Sequence, residues 1–338
     1  MPTRPAIGVA IPNCCEGLVF PAPFANHFDL MEMSREAEIL GYESLWVNDH
    51  VTTQNYVRSA FKSPPNYYEP LITLTFMSSI TTNPKLATGL LVLPLREPVI
   101  LAKQISLLDL YSKGRLILAV GLGAYKEEFE HMLPRIPVRD RHILLDESIQ
   151  ALLLLMNERS ASFEGKYICF RDIELYPKPA QKTIPLYIGG NSNEGLARVA
   201  KWGNGWLPAS LSPLEIKNSL EKINQLKKKF GRENQQFDIA PQLIVSMAAT
   251  KGEAIEKFRR SFIYDHLKSL SESTLKNQVA RIEQLNLIGN ADEIIDLMEE
   301  YLQAGVTHFG ALVFACRTKE EYTNSMKEFA KEVMPSFR

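Results

Sequence analysis

Short apolar segments that alternate with helical patterns constrain the fold of this chain more than any other feature. Eight apolar segments are each followed by a helical pattern, and the most buried of them are nearly continuous in apolar residues. Parallel strands need crossover helices, and strands covered on both faces have this continuous apolar character. Eight such units in 338 residues predict an α/β fold, a TIM (β/α)8 barrel rather than an open doubly wound sheet.

The boundaries of these units follow from composition and from turn residues. The predicted strands are Ile7–Pro12, Ser44–Asn48, Leu86–Pro94, Arg115–Gly123, Pro185–Gly190, Gly205–Pro208, Phe237–Ala248 and Val306–Phe314. Two segments break the alternation, a hairpin excursion near residues 162–176 and a polar helical insertion near residues 261–284. Because no Ser/Gly-rich or low-complexity linker separates the units, we expect residues 1–338 to form one domain.

The charge balance and the cysteines exclude several classes of protein. Lys and Arg total 38 and Asp and Glu total 39, so we expect no general attraction to nucleic acid or to an anionic membrane. No apolar run approaches the length of about 18 residues that a membrane span needs, and no signal peptide is recognised. The cysteines, Cys14, Cys15, Cys169 and Cys316, lack metal-ligand spacing. We expect reduced thiols in a cytoplasmic protein without a metal.

The second predicted strand ends in the polar trio Asn48-Asp49-His50. Active sites of TIM barrels are built at the C-terminal ends of the strands, an end that we call the mouth of the barrel. A histidine titrates near neutral pH, and a neighbouring carboxylate can orient it and hold its proton. The trio therefore indicates a site that handles protons. The alternative is that Asp49 caps the following loop and His50 is a structural histidine.

Glycines mark the third and fourth predicted strands. Gly89 lies inside the third strand, between Thr88 and Leu90, and Gly121-Leu122-Gly123 ends the fourth. A glycine within a strand indicates a bulge or a close approach of the backbone to another group. The second segment is not a dinucleotide fingerprint, because Lys126 stands where the third glycine would be. Either a ligand contacts bare backbone here or the glycines relieve crowding.

The fifth predicted strand ends in two glycines, and a helix begins directly after them. Ser192 or Asn193 can cap this helix, and Glu194 lies in its first turn. The exposed backbone N–H groups of a helix N-terminus bind phosphate or another anion, so Gly189-Gly190 predicts a phosphate site or, alternatively, an ordinary turn. Since motifs of hydrolases, metalloproteases and P-loop proteins are absent, we expect the chemistry to come from a bound organic cofactor.

Several of these segments, taken in order, resemble the signature segments of the luciferase-like monooxygenase family. The resembling segments are Gly41–His50, Leu86–Pro94, Pro98–Asp109, Gly114–Gly123, Glu127–Phe129, Tyr176–Pro179, Pro185–Asn191 and Gly203–Trp206. The match runs over roughly residues 5–210 and is weaker at 289–314. The resemblance implies a bacterial-luciferase-like TIM barrel with insertions that binds a reduced flavin or deazaflavin at its mouth.

The family pattern assigns expected roles to individual positions. His50 is expected to handle a proton or position the substrate, Asp49 is its expected catalytic partner, and Tyr125 is expected on the substrate side. The expected cofactor contacts are Asn48, Thr88, Gly89, Leu90, Gly121, Gly123, Tyr125, Gly189, Gly190 and Asn191. Members often carry a non-prolyl cis peptide bond in the third strand, and Gly89-Leu90 is the matching position.

The resemblance allows two cofactors. Asp49-His50 matches a pair that deazaflavin (coenzyme F420)-dependent dehydrogenases use, and FMN-dependent members also have this pair. Ala124 stands where one sugar-phosphate dehydrogenase branch has a glutamate acid, which argues against the proton-donor mechanism of that branch. We expect a monooxygenase that uses O2 and reduced FMN from a separate flavin reductase. The alternatives are F420-dependent hydride transfer and, less favoured, a flavin-binding barrel without turnover.

The substrate and the assembly are expectations of lower detail. The loops at 14–28 and 52–68 and the insertion are expected to select the substrate. Their aromatic residues predict a small, largely apolar organic molecule, although these rings can equally pack the loops onto the barrel. The aromatic residues concerned are Phe20, Phe24, Tyr56, Phe61, Tyr67 and Tyr68. The resemblance also implies a homodimer through helices near the second and third strands.

Overall fold

The computed structural model describes residues 4–14, 26–270 and 281–338. Its strands are β1 (Ala6–Ala10), β2 (Ser44–Val47), β3 (Lys85–Thr88), β4 (Leu91–Val92), β5 (Leu116–Gly121), β6 (Ala161–Glu164), β7 (Cys169–Ile173), β8 (Leu186–Gly189), β9 (Gly205–Leu207), β10 (Asp238–Ile239), β11 (Ile244–Met247), β12 (Leu287–Gly289) and β13 (His308–Phe314). Its helices are α1 (His27–Leu40), α2 (Asn55–Ala60), α3 (Pro70–Ile80), α4 (Pro98–Tyr111), α5 (Lys126–Met132), α6 (Arg141–Asn157), α7 (Asn193–Trp202), α8 (Pro213–Lys229), α9 (Lys251–Arg260), α10 (Phe262–Ser269), α11 (Ala291–Gln303) and α12 (Lys319–Glu332).

The main sheet is parallel and closes on itself. Its strands follow the order β10, β9, β8, β5, β3, β2, β1, β13 and β11, with β12 beyond β11. The segment from β10 to β11 is the predicted seventh strand, and it bonds to the eighth strand along its length. The carbonyl of Ile239 accepts from the N–H of Thr307, and that of Leu243 from the N–H of Val313, both at 3.1 Å. The TIM barrel prediction is therefore confirmed.

Two predicted strands are interrupted. The third stops at Thr88, and β4 resumes after a cis peptide bond between Gly89 and Leu90. The hydroxyl of Thr88 donates to the carbonyl of Ala119 at 2.7 Å and accepts from its N–H at 2.9 Å. This side chain replaces the backbone pairing with β5 at the point where the strand ends. The seventh strand is split because it pairs with β9 at its start and with β13 and β12 further on.

Helix boundaries show why local sequence was informative. Helix α1 begins after Asn26, whose side chain accepts from the N–H groups of Phe28 and Asp29 in a capping box. It ends at Gly41, which has a φ of 86°. That left-handed conformation is strained for other residues, so a glycine stops the helix where one is needed.

The segments outside the barrel repeat are placed as follows. Strands β6 and β7 pair as an antiparallel hairpin within the predicted excursion. The carboxylate of Glu147 accepts from the N–H groups of Tyr167 and Ile168 and so fastens the hairpin to α6. Helix α10 lies in the predicted insertion, whose residues 271–280 lie outside the described part. The short elements α2, α5 and β12 were not predicted.

A buried polar network fills the N-terminal end of the barrel. The hydroxyl of Ser44 accepts from Nε1 of Trp46 and bonds to Nε2 of His308, each at 2.7 Å. Burial lowers the pKa of His308 to about 4. Nearby, the hydroxyl of Tyr187 donates to Asp238 at 2.7 Å. Because these groups lie at or near the first residues of their strands, the network is at the opposite end from the mouth.

None of the helices in the described ranges is long and apolar enough to cross a membrane.

Candidate functional site

His50 follows β2 at the mouth, as the order of the chain predicts. Its Nδ1 lies 3.1 Å from Oε2 of Glu128 and 2.8 Å from Nε2 of Gln54. Its ring lies 5.6 Å from the ring of Tyr67 and 5.9 Å from that of Tyr125, centroid to centroid. No residue of the described part hydrogen-bonds to its Nε2. The ring is therefore held at one nitrogen, while the other remains available to a ligand.

The carboxylate of Asp49 contacts Arg96 and not His50. Oδ1 accepts from one terminal nitrogen of Arg96 at 2.8 Å, and Oδ2 accepts from Nε at 3.1 Å and from the backbone N–H of Val92 at 2.8 Å. Arg96 also pairs with Glu69 at 2.7 Å. This buried bidentate pair ties the end of β2 to β4. Asp49 thereby holds the loop that carries His50, although its own oxygens are already occupied.

Glu128, on α5, is the carboxylate that meets His50. Its side chain is 3% exposed, so the charge depends on nearby donors. Oε1 accepts from the N–H of Val51 at 3.3 Å and, at 3.5 Å, from the N–H of Thr52 and from Nε2 of Gln54. Sequence reasoning recognised Glu127–Phe129 only as a family segment. His50 and Glu128 are 78 positions apart in the sequence, and no local pattern predicts their contact.

Two tyrosines and a second histidine complete one wall of the mouth. The hydroxyls of Tyr56 and Tyr125 lie 2.9 and 3.0 Å from Nδ1 of His266, and Tyr125 also reaches Ser269 at 3.1 Å. Burial, and secondarily the charge of His50, lowers the pKa of His266 to about 3. Burial raises the pKa of Tyr125 to about 12. These shifts of the pKa favour the neutral forms of both groups, so α10 places an uncharged, partly buried polar cluster at the mouth.

Leu90 explains two of the predicted glycines. A Cβ on Gly121 would lie 2.7 Å from Cδ2 of Leu90, and a Cβ on Gly189 would overlap the same atom. Both positions therefore lack a side chain because Leu90 lies against them. The carbonyl of Gly89 accepts from Nε2 of Gln242 at 2.8 Å, which fixes the turn before Leu90. The absence of side chains at Gly121 and Gly189 thus leaves space at the mouth for the side chain of Leu90.

The turn between β8 and α7 is open at Gly190 and fastened on either side by polar side chains. Gly190 has a φ of 120°, and a Cβ there would meet no atom closer than 3.8 Å. Asn191 donates to the carbonyl of Ala209 at 2.7 Å, so its amide fastens the turn to the next loop. Ser192 caps the helix by accepting from the N–H of Gly195 at 3.1 Å. Hydrogen bonds from its own backbone N–H and from Ser192 lower the pKa of Glu194.

The remaining predicted contacts are backbone features. Gly123 has a φ of 77°, and a Cβ there would lie 2.9 Å from Cγ1 of Val92. The backbone of Asn48 is held by the side chain of Asn13, whose Nδ2 donates to the carbonyl and whose Oδ1 accepts the N–H, both at 2.8 Å. The hydroxyl of Thr88 is used on Ala119, as described above, so it serves the strand pairing.

Arg141, at the start of α6, is a residue that sequence reasoning missed. Its guanidinium donates to the carbonyl of Gly123 at 3.5 Å, and no carboxylate of the described residues pairs with it. Burial lowers its pKa. Further along the two helices, Arg198 of α7 pairs with Asp146 of α6. Arg141 is therefore a part-buried cation at the start of a helix that an ion pair joins to α7.

A metal centre is absent from the described residues, where no group of three or more His, Cys, Asp or Glu side chains converges. The three described cysteines, Cys14, Cys169 and Cys316, form no disulfide bond.

Comparisons with known proteins agree with this geometry. The family model described as luciferase-like monooxygenase matches residues 25–308. F420-dependent glucose-6-phosphate dehydrogenase of Kineococcus radiotolerans is 23% identical over 325 residues, with 91% of this chain and 93% of that protein covered. Monooxygenase RslO1 from Streptomyces bottropensis has a TM-score of 0.79 at 18% identity and covers 98% of this chain and 99% of its own. An F420-dependent secondary alcohol dehydrogenase, solved with an F420-acetone adduct, has a TM-score of 0.78 at 19% identity over 99% and 100%.

Proposed function

Because this chain belongs to the luciferase-like monooxygenase family, whose members are oxidoreductases that use FMN or F420, we propose that it is a monooxygenase that uses reduced FMN and O2. The observation that supports this proposal is the aromatic wall of the mouth, where the hydroxyls of Tyr56 and Tyr125 contact His266 of α10. Reduced flavins react unproductively when water enters the site, so a dry mouth suits oxygen chemistry. Ala124 supports the choice, because the glutamate acid of one dehydrogenase branch is missing.

The residues at the mouth fit a flavin-type cofactor. Gly121 and Gly189 leave room for the side chain of Leu90, which lies where the family resemblance places a contact with the ring system. The N-terminus of α7 favours a negative charge, and the lowered pKa of Glu194 in its first turn supports this assignment. The guanidinium of Arg141 lacks a carboxylate partner among the described residues. We assign the cofactor's phosphate to the space between Arg141 and the Gly190–Ser192 turn.

When bound, the reduced cofactor supplies the electrons for the reaction, and the chain supplies position, dryness and proton transfer. His50 offers Nε2 toward the mouth while Nδ1 is held by its neighbours. It can therefore take up or deliver a proton at Nε2. Helix α10 contacts Tyr56 and Tyr125 through His266 and Ser269, and its proposed role is to limit the entry of water. Substrate that enters beside these rings meets aromatic faces and few charges, which suits a small, largely apolar molecule.

The second candidate is F420-dependent hydride transfer. It is favoured by two of the compared proteins, the F420-dependent glucose-6-phosphate dehydrogenase and the F420-dependent secondary alcohol dehydrogenase. The phosphate contacts proposed above serve either cofactor, since both carry a phosphate near the ribityl chain. The two candidates therefore differ in the redox partner of the cofactor: reduced FMN gives electrons to O2, whereas F420 takes a hydride from the organic substrate of a dehydrogenase, or in its reduced form gives one to the substrate of a reductase.

Titration of the purified chain with reduced FMN and with F420 under anaerobic conditions separates the candidates. We expect binding of FMN, and O2-dependent product formation with a flavin reductase present. Arg141→Gln should weaken FMN binding about tenfold or more, because a hydrogen bond between charged groups is lost. Arg139→Gln is the matched control, since Arg139 is highly exposed near the same helix end. Tight binding of F420 without binding of FMN would reject the leading candidate.

We further propose that the chain forms a homodimer through α3 and α4. Ile72 and Phe76 on α3 and Ile100 on α4 are large apolar side chains that are exposed in the single chain, and exposed apolar patches often mark interfaces. Sedimentation velocity tests this proposal, and a monomer at micromolar concentration would contradict it.

A further inference from the structure

The Nδ1 atom of His50 is in contact with two side chains that make opposite demands on it. Nε2 of Gln54 is an amide nitrogen, and it lies 2.8 Å away. Oε2 of Glu128 is a carboxylate oxygen, and it lies 3.1 Å away. An amide nitrogen only donates, so it needs an unprotonated Nδ1, whereas a carboxylate only accepts, so it needs Nδ1–H. One hydrogen bond excludes the other.

The surroundings hold both competitors in place. The Oε1 atom of Gln54 accepts from the hydroxyl of Tyr67 at 2.8 Å, and its Nε2 also lies 3.3 Å from the carbonyl of Thr52. This pattern keeps the amide nitrogen toward His50. The other oxygen of Glu128 receives the loop N–H groups, so among the described residues Oε2 has only His50 as a donor. Neither competitor can turn away without breaking its other bonds.

The choice at Nδ1 determines the chemistry at Nε2. A neutral imidazole carries one proton, so Nδ1–H leaves Nε2 as an acceptor, while an unprotonated Nδ1 leaves Nε2–H as a donor. The titratable groups that face the ring are Glu128 from α5, Tyr67 and Tyr125 from the flanking loops, and His266 from α10. Glu128 is the only acid in direct contact with the ring among the described residues.

We propose that Gln54 and Glu128 are positioning residues that compete for Nδ1 of His50 and thereby set whether His50 acts as a base or as an acid. With Glu128 as partner, Nε2 accepts a proton from the ligand, and the resulting imidazolium is paired with the carboxylate. With Gln54 as partner, Nε2–H donates a hydrogen bond to the ligand. The inference deepens the proposed function and rests on it only for the consequence in turnover.

Nitrogen-15 NMR of histidine-labelled protein measures the competition without any cofactor. Spectra are recorded about two pH units above the ordinary histidine pKa, so that the ring is neutral, and His50→Gln identifies the signals of His50. Glu128→Gln should shift the ratio of the two tautomers about tenfold or more toward Nε2–H, because a charge-assisted bond is lost. Gln54→Leu should shift it in the opposite direction. Gln54→Met is the second variant if the leucine protein does not fold.

Glu127→Gln is the matched control, because Glu127 is the adjacent carboxylate on α5 and contacts Asn55 rather than His50. It should leave the tautomer ratio unchanged. Equal tautomer ratios in Glu128→Gln and Gln54→Leu would overturn the proposal, as would shifts in the same direction. A merely structural role of either residue predicts such a result, since loosening the loop has no preferred nitrogen.

Turnover then tests the consequence separately. In a reaction in which His50 is the base, Glu128→Gln should lower kcat about 100-fold or more with little change in KM, and Gln54→Leu should keep or raise kcat. Opposite tautomer shifts without any opposite change in kcat would show that the competition exists and that His50 does not serve the reaction. That result rejects the proposed role of His50 while leaving the competition at Nδ1 standing.

Discussion

At the N-terminal end of the barrel, Nε2 of His308 bonds to the hydroxyl of Ser44, which in turn accepts from Trp46. At the mouth, Nδ1 of His266 lies within 3.0 Å of two tyrosine hydroxyls, those of Tyr56 and Tyr125. In the first network Nε2 of His308 meets a single hydroxyl, that of Ser44, whereas in the second Nδ1 of His266 meets two hydroxyls that compete for it. Burial lowers the pKa of both histidines. The two ends of the barrel therefore differ in the number of hydrogen-bond partners that one histidine nitrogen has, and not in their polarity.

This difference indicates what each end contributes. A fully satisfied buried network stabilises one arrangement of the core. Groups with several possible partners, together with the contested Nδ1 of His50, can change partners when a ligand arrives. In TIM barrels the chemistry is at the C-terminal ends of the strands and the opposite face contributes stability. We therefore expect substitutions at the mouth to change turnover and substitutions at the N-terminal end to change the free energy of unfolding.

The largest expected effect is that of His50→Ala on turnover. Loss of a general acid–base group lowers kcat by about 10²–10⁴-fold, while the affinity for the cofactor should remain close to that of the parent protein. Steady-state kinetics and a binding titration measure both quantities. His142→Ala is the control, because His142 is exposed and bonds only to the carbonyl of Arg139 among the described groups. Unchanged turnover in His50→Ala would contradict the role in proton transfer that we assign to the mouth.

A smaller effect is expected at the other end for Ser44→Ala. This substitution leaves Nε1–H of Trp46 and Nε2 of His308 buried without a partner, which costs ~1–3 kcal/mol of unfolding free energy. Turnover per folded molecule should stay the same. Urea unfolding and kinetics at a temperature well below the transition measure these quantities, with the exposed Ser59→Ala as control. A selective loss of kcat with normal stability would contradict the comparison.

The third expected effect is on the pH dependence of stability. The pKa of His308 is about 4 in the folded chain and near 6.5 when unfolded, so between these values the unfolded chain binds more protons. Stability is therefore complete above pH 6.5 and falls as the pH decreases toward 4, by at most ~1.4 kcal/mol per pH unit. His308→Gln should flatten this slope. His266→Gln should flatten it as well, down to about pH 3.

Urea unfolding at a series of pH values between 4 and 7 measures the slopes. If the slopes of both variants match that of the parent protein, neither histidine is buried in its neutral form. Cofactor should alter the slope in the His308→Gln protein, in which His266 remains, because the mouth is where a ligand binds.

Much of the fold was predictable because its signals are local. The boundaries of α1 and α3 lie at local signals, since Asn26 and Gly41 cap one helix and Pro70 begins the other. Strand interruptions were less accessible. The break after Thr88 depends on a hydroxyl that bonds to Ala119, on a strand that comes 31 positions later.

The position of the candidate site could be predicted from the sequence, but the side chains that contact its residues could be predicted only in part. His50 could be located because strand ends of a parallel barrel meet at one face, which the order of the strands already implies. Its partner could not, since the adjacent Asp49 is the obvious candidate and Arg96 occupies it instead. Arg141 and His266 were missed because a single basic residue has no local sequence signature. Its role depends on which side chains lie beside it, and only the tertiary structure shows these.

The sequence alone determined that this chain alternates strands and helices, where most of them begin and end, and that the polar ends of its strands meet at one mouth. Periodicity, caps and turn residues act over a few positions, so they can be recognised from the sequence alone. The tertiary structure alone decided that Glu128 and Gln54 meet at His50, that Leu90 explains Gly121 and Gly189, and that α10 brings His266 to Tyr125. These contacts join residues that are far apart in the chain, and the residues meet only because the barrel closes.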